Sequence, residues 1–217
     1  MTGFSNSPRV LKAGLVLLDP ETGAIRRIIT LQYNPQQLTR TLQVQDAASG
    51  GRSEPLRLKG PPVETIRLDA EIDATDQLEF PDENASTVEA GIHPQLAQLE
   101  SVLYPTSAQL VDNNSLAASG ALEILPMESA LTLFVWSRNR VLPVRITDFS
   151  ITEEAFDTAL NPIRAKVGLG LRVLSVDDLD FTHKGASLFL SYLQQKESLA
   201  SRSGNGQLDM LGLGEPP

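Results

Sequence analysis

The chain of 217 residues reads as a mainly β protein of antiparallel strands. Three observations predict that class. Ile163, Ala165, Val167, Leu169, Leu171 and Val173 alternate strictly with Arg164, Lys166, Gly168, Gly170 and Arg172, and a period of two puts the apolar residues on one strand face. Ile66, Leu68, Ala70 and Ile72 alternate in the same way with Arg67, Asp69, Glu71 and Asp73. Asp19-Pro20-Glu21-Thr22-Gly23 then sets turn residues between two apolar-rich runs, the pattern of a hairpin. Each one-sided strand needs a cover, which the rest of the chain has to supply.

The first strand is expected over Val10 to Leu18, and Ala24 to Tyr33 returns beside it. Ile25, Arg27, Ile29, Leu31 and Tyr33 share one side of the return; Arg26, Ile28, Thr30 and Gln32 share the other. Asn34-Pro35 ends it, because proline lacks a donor and pushes its predecessor to extended geometry. Leu38 to Gln45 resumes as a strand. Asp46 to Pro62 is a long Gly-containing loop, read as an arm that orders only against a partner. Val63 to Asp73 is a strand, and Thr75 to Gly91 an acidic loop.

His93-Pro94 opens a helix whose Leu96, Leu99, Val102 and Leu103 form one stripe, suited to covering an open end of a curled sheet. Pro105 ends it, and Thr106 to Ala121 reads as a variable loop. Leu131 to Trp136 carries apolar groups on both faces, as in a strand buried on both sides or one that meets a neighbouring subunit. Ser137 to Arg140 is a tight turn into the strand Val141 to Thr152. There Val144 and Ile146 are out of phase with Phe149 and Ile151, and a β-bulge near Thr147-Asp148 would return both pairs to the core. Glu153 to Pro162 is an acidic connection with Phe156 as its aromatic anchor, and Ile163 to Leu174 closes the meander.

Ser175 to Asp180 ends the sheet. Lys184 to Leu199 reads as a helix with Leu188, Phe189, Tyr192 and Leu193 on one face. A Ser/Gly-rich linker, Ser198 to Gly206, leads to a tail with Leu208, Met210, Leu211 and Leu213, either disordered alone or a docking peptide. The expected division is a β domain over 1–178 and a C-terminal helix with a flexible docking tail over 179–217.

Composition excludes several chemistries. With no cysteine there is no disulfide, thiol nucleophile or thiolate metal site. His93 and His183 are the two histidines, too few for a three-histidine metal centre. The net charge of −9 is uneven: residues 63–130 hold one basic and thirteen acidic side chains, against eight and four in residues 1–62. An acidic middle argues against nucleic-acid binding; it fits a solvated loop or a two-signed surface that stacks head to tail. No run approaches a membrane span, and Met1 to Pro8 has no secretory h-region, so a chain made in the cytosol is expected. Asn84-Ala85-Ser86 and Asn113-Asn114-Ser115 are therefore not read as glycosylation sites.

No residue is assigned a catalytic, cofactor-binding or metal role. Asp69 and Glu71 are the best carboxylate pair, but an outward strand face offers no apolar pocket to raise either pKa. A calcium loop started at Asp69 would need Gly and Glu where Ala74 and Phe80 stand. Gly168 and Gly170 lie inside a strand without a third glycine, which rules out a dinucleotide fingerprint.

The order of elements resembles the tube-initiator or hub-adaptor proteins of contractile injection systems, relatives of phage tail baseplates. Four places carry the likeness: Leu31-Gln32-Tyr33-Asn34-Pro35 at a strand end, Pro61-Pro62-Val63-Glu64-Thr65-Ile66-Arg67-Leu68 as loop-to-strand lead-in, the helix His93 to Tyr104, and the meander Leu131 to Val173 with Phe156 and Pro162-Ile163-Arg164-Ala165. The resemblance implies a tube-protein-like antiparallel β-barrel or sandwich with one covering helix. It further implies a non-enzymatic structural protein without cofactors, assembled as a ring, expected as a hexamer. Its partners would be copies of itself, the inner-tube protein, the spike or hub protein and other baseplate subunits, with no nucleic acid and no membrane insertion. Assembly would occur in the bacterial cytoplasm, within a phage tail-like particle that is either released or membrane-associated. The peptidoglycan-binding LysM module that often follows this barrel has no counterpart in Leu179 to Pro217. The alternatives are an inner-tube or tube-cap subunit of the same machine and a monomeric ligand-binding β-sandwich.

Overall fold

A computed structural model describes residues 10–19, 22–45, 58–118, 129–204 and 206. Seven strands form one antiparallel sheet: β1 (Gly14–Leu18), β2 (Ile25–Thr30), β3 (Leu38–Gln43), β4 (Val63–Asp73), β5 (Leu131–Ser137), β6 (Arg140–Phe156) and β7 (Pro162–Val173). Their spatial order is β2-β1-β5-β6-β7-β4-β3. Two hairpins therefore flank a meander, as the alternating patterns require. Among the described residues there is no second sheet.

The core lies on one face. Ala165, Val167, Leu169, Leu171 and Val173 of β7 are buried, while Arg164 and Lys166, which flank Ala165, are exposed. Ile66, Leu68, Ala70 and Ile72 of β4 stand opposite Leu171, Leu169, Val167 and Ala165 in register. The bulge in β6 lies between Ile146 and Asp148. Ile146 faces Leu171 and Phe149 faces Leu169, so the extra residue keeps both halves of a 17-residue strand on the core side.

β5 is buried on both faces. Phe134 joins the main core with Leu15 and Leu142, whereas Leu131 and Leu133 form a second cluster with Leu18. Two helices complete these clusters. α3 (His93–Glu100) supplies Leu96 and Leu99 to the main core; α5 (Lys184–Ala200) supplies Phe189 and Tyr192 there and Leu188 to the second cluster. Leu99 borders a small cavity with Ile72, and the Tyr192 hydroxyl reaches Glu64. Those positions are eight residues apart on β4, or about 27 Å along a strand, so the helices serve opposite ends of it.

Several expected loops are structured. The acidic stretch after β4 contains α1 (Thr75–Leu78), a 3-10 turn (Pro81–Glu83) and α2 (Ala85–Ala90). The stretch after Pro105 contains α4 (Ser107–Ala118), which has no buried residue. The connection read from Glu153 is mostly strand, because Glu153, Glu154 and Phe156 stay in register with Ala165, Arg164 and Pro162. At the front, the first strand starts at Gly14 rather than Val10. There the Asn34 amide replaces a ladder: it accepts from Ala13 N at 2.9 Å and donates to Leu11 O at 2.7 Å. The arm residues 46–57 and the apolar tail 207–217 lie outside the described residues.

Candidate interaction surfaces

Of the residues weighed for chemistry in the sequence, Asp69 and Glu71 line one open pocket with the segment Tyr33 to Gln37, and neither histidine lines it. Asp69 and Glu71 stand exposed on β4, opposite Gly168 and Lys166. Lys166 is engaged with Glu154 at 3.3 Å rather than with Glu71. His93 begins α3, and His183 caps α5, its Nδ1 accepting from Gly185 N at 3.0 Å. Among the described residues no group of three metal-ligating side chains occurs. Gly168 and Gly170 sit in the sheet for a packing reason, since a Cβ at Gly170 would lie 2.7 Å from Asp148 Cβ.

A charged cluster the sequence did not reveal ties α5 to the sheet. Glu64 of β4 is only 4% exposed. Its Oε1 takes a salt bridge from Arg40 of β3 at 2.6 Å, and its Oε2 accepts from Lys196 of α5 at 3.2 Å. Arg40 also donates to the Tyr192 hydroxyl at 3.0 Å, and the Lys196 ammonium lies 4.3 Å from the Tyr192 ring centre. Burial pushes the Glu64 carboxyl up, but the Arg40 hydrogen bond and the charges of Lys196 and Arg40 outweigh it, and the group titrates below the ordinary carboxylate range. Glu64 in return raises Arg40. A buried carboxylate held by two cations and a phenol ties three elements together as a structural clasp. Its members are 24 and 132 residues apart, so no local pattern announces them.

A second feature braces the chain leaving β2 against the end of β4. The Gln32 side chain donates from Nε2 to Asp73 O at 2.7 Å and accepts at Oε1 from Asp73 N at 3.0 Å. This amide imitates one rung of a ladder between the chain leaving β2 and the end of β4. Asp73 also holds Arg164 at 2.8 Å.

The sheet itself stays open at its edges. β2 pairs only with β1, and β3 only with β4. Both edge strands carry exposed apolar side chains: Ile25 (62%) and Ile28 on β2, Leu42 (47%) on β3 and Val44 just after it. The base of the arm adjoins β3, where Lys59 N donates to Gln45 O and the Gln45 amide donates to Pro61 O at 3.0 Å. Leu58, exposed, stands at that base. Unpaired strand edges are templates for another strand, and apolar residues on them add contact area for one. No described helix is long and apolar enough to cross a membrane.

No protein-family model and no curated sequence matches the chain.

Proposed function

We propose that the chain is a structural subunit of a contractile injection particle, an adaptor or initiator ring that joins the central spike or hub to the inner tube. The observation that carries this reading is the pair of open sheet edges, each bearing exposed apolar side chains. Identical copies arranged in a ring bring unlike edges together and leave none over. The ring would be a hexamer. A structural role also fits the chemistry, because the charged groups buried in the sheet serve the fold. In the runner-up reading the same ring is an inner-tube or tube-cap layer.

Tagged protein recovered from its own cells and viewed by negative-stain microscopy tests this. Tag on a ring at the base of sheathed needles is the expected result, and copies per particle separate a single adaptor layer from a repeated tube layer. Tagged protein that stays monomeric in cells that are making such particles would overturn the reading.

A further inference from the structure

β6 joins two ends of opposite charge. Its 17 residues span roughly 50 Å of strand. At one end the β6–β7 turn presents Phe156 (49% exposed) and Leu160 (76% exposed). Exposed Glu153 precedes Phe156 by three residues, Asp157 follows it, and exposed Glu89 adjoins the turn through its backbone carbonyl, which accepts from the Asn161 amide at 3.1 Å. At the other end the β5–β6 turn presents exposed Arg138 and half-buried Arg140 beside half-buried Trp136. Neither arginine makes an ion pair among the described residues, and neither Glu89 nor Glu153 makes one. Among the described residues, carboxylates outside any ion pair and exposed apolar side chains thus sit at one pole, where the cations Arg164 and Lys166 are taken up by Asp73 and Glu154, and arginines outside any ion pair sit beside an aromatic ring at the opposite pole.

We infer that the β6–β7 tip of one copy docks on the β5–β6 turn of a second copy, with Leu160 and Phe156 against Trp136 and the carboxylates against Arg138 and Arg140. The apolar pair supplies area that leaves water, while the charges fix which end meets which. Because the two surfaces differ, the contact is head to tail, and repeated from copy to copy it would stack layers, as the runner-up tube-layer reading requires and a single adaptor ring does not. It uses strand ends, not sheet edges, and so stands apart from the ring pairing proposed above.

The tip is held in shape independently of its apolar side chains. Asp157 Oδ1 accepts from Ala159 N and Asn161 N, each at 2.8 Å, and Leu160 N donates to Asp157 O. Leu160 has φ of 65°, a conformation glycine adopts without a side-chain clash. Leu160→Gly therefore removes the docking side chain and leaves the turn intact.

Sedimentation velocity of the full chain, at low salt and at about 0.5 M NaCl where screening acts within roughly 4 Å, tests the contact. Wild type is expected to self-associate at low salt and to dissociate at high salt. Leu160→Gly should be fully folded by circular dichroism, with association weakened at least about tenfold, equal to about 1.4 kcal/mol. Chains carrying Arg138→Glu with Arg140→Glu, or Glu89→Lys with Glu153→Lys, should each lose self-association and bind each other when mixed. A wild type that is monomeric at low salt, a Leu160→Gly chain that associates like wild type, or reversed-charge chains that ignore each other would each overturn the inference.

Discussion

A carboxylate withdrawn from water costs several kcal/mol unless cations and donors surround it, and Glu64 sits where β3, β4 and α5 can all reach it. Arg40 and Lys196 each take one of its oxygens. Removing one partner leaves the others buried and short of a counter-charge, so Arg40→Ala should cost about 2–4 kcal/mol of unfolding free energy. Lys196 is partly exposed, and Lys196→Ala should cost less, about 1 kcal/mol. Urea unfolding of the two variants measures the order, and an Arg40→Ala chain as stable as wild type would show that the clasp does not hold the fold together. The pH dependence has a definite sign. The folded pKa of Glu64 lies below its unfolded value near 4.5, so its stabilisation is fully present above about pH 4.5 and is lost as pH falls through the folded pKa. The stability gap between wild type and Glu64→Gln should therefore narrow as the pH is lowered from 5 towards 3. A gap that stays constant over that range would mean that the charge of Glu64 contributes nothing to stability.

At the scale of elements, strands buried on one face declared themselves and other features did not. The alternation from Ile163 to Val173 fixed β7 because every second side chain had to meet the same core, and the broken phase between Ile146 and Phe149 placed the bulge. Deleting Thr147 removes that extra residue and should rotate either Val144 and Ile146 or Phe149 and Ile151 out of the core. Loss of the cooperative thermal transition is the expected outcome, and an unchanged melting curve would show that the bulge does not set the register. The acidic stretch before His93 hid α1 and α2 because its stripes are short and its buried groups few, Thr87 being the one in α2. α4 has no buried face at all, so no apolar period marked it. The Glu64 clasp and the Gln32 rung were invisible for another reason: each joins residues far apart in the chain through a single polar side chain. Gly91 looked like the end of a loop. In the fold it has φ of 56°, and a Cβ there would lie 2.3 Å from Pro162 O. Gly91→Ala should thus cost about 2–3 kcal/mol, combining left-handed strain with a backbone clash. A melting temperature within about 2 °C of wild type would show that α2 can move away from β7 freely.

For the whole molecule, the question is what happens to the two sheet edges. A strand edge with exposed isoleucine or leucine is a hazard to a solitary protein, and solitary proteins blunt such edges with lysine, proline or a covering element. β2 keeps Ile25 and Ile28 exposed, and β3 keeps Leu42 exposed. Arg26 and Arg27 lie between the isoleucines, but Arg26 is occupied by Asp19 at 2.6 Å. Ile28→Lys and Leu42→Lys put a charge on each edge in turn. Both positions are exposed in the isolated chain, so each variant should unfold within about 0.5 kcal/mol of wild type. In a ring each would place a lysine in a desolvated contact, and incorporation into particles should fall for either one. The two variants need to behave alike, since a heterologous contact uses both edges at every junction. Thermal melts together with counts of tagged copies per particle separate the cases. If both chains fold and both enter particles at wild-type levels, the edges are not the ring contact, and the open sheet would need another neighbour to cover it. If only one variant is excluded, that edge meets a different protein and the other edge faces solvent.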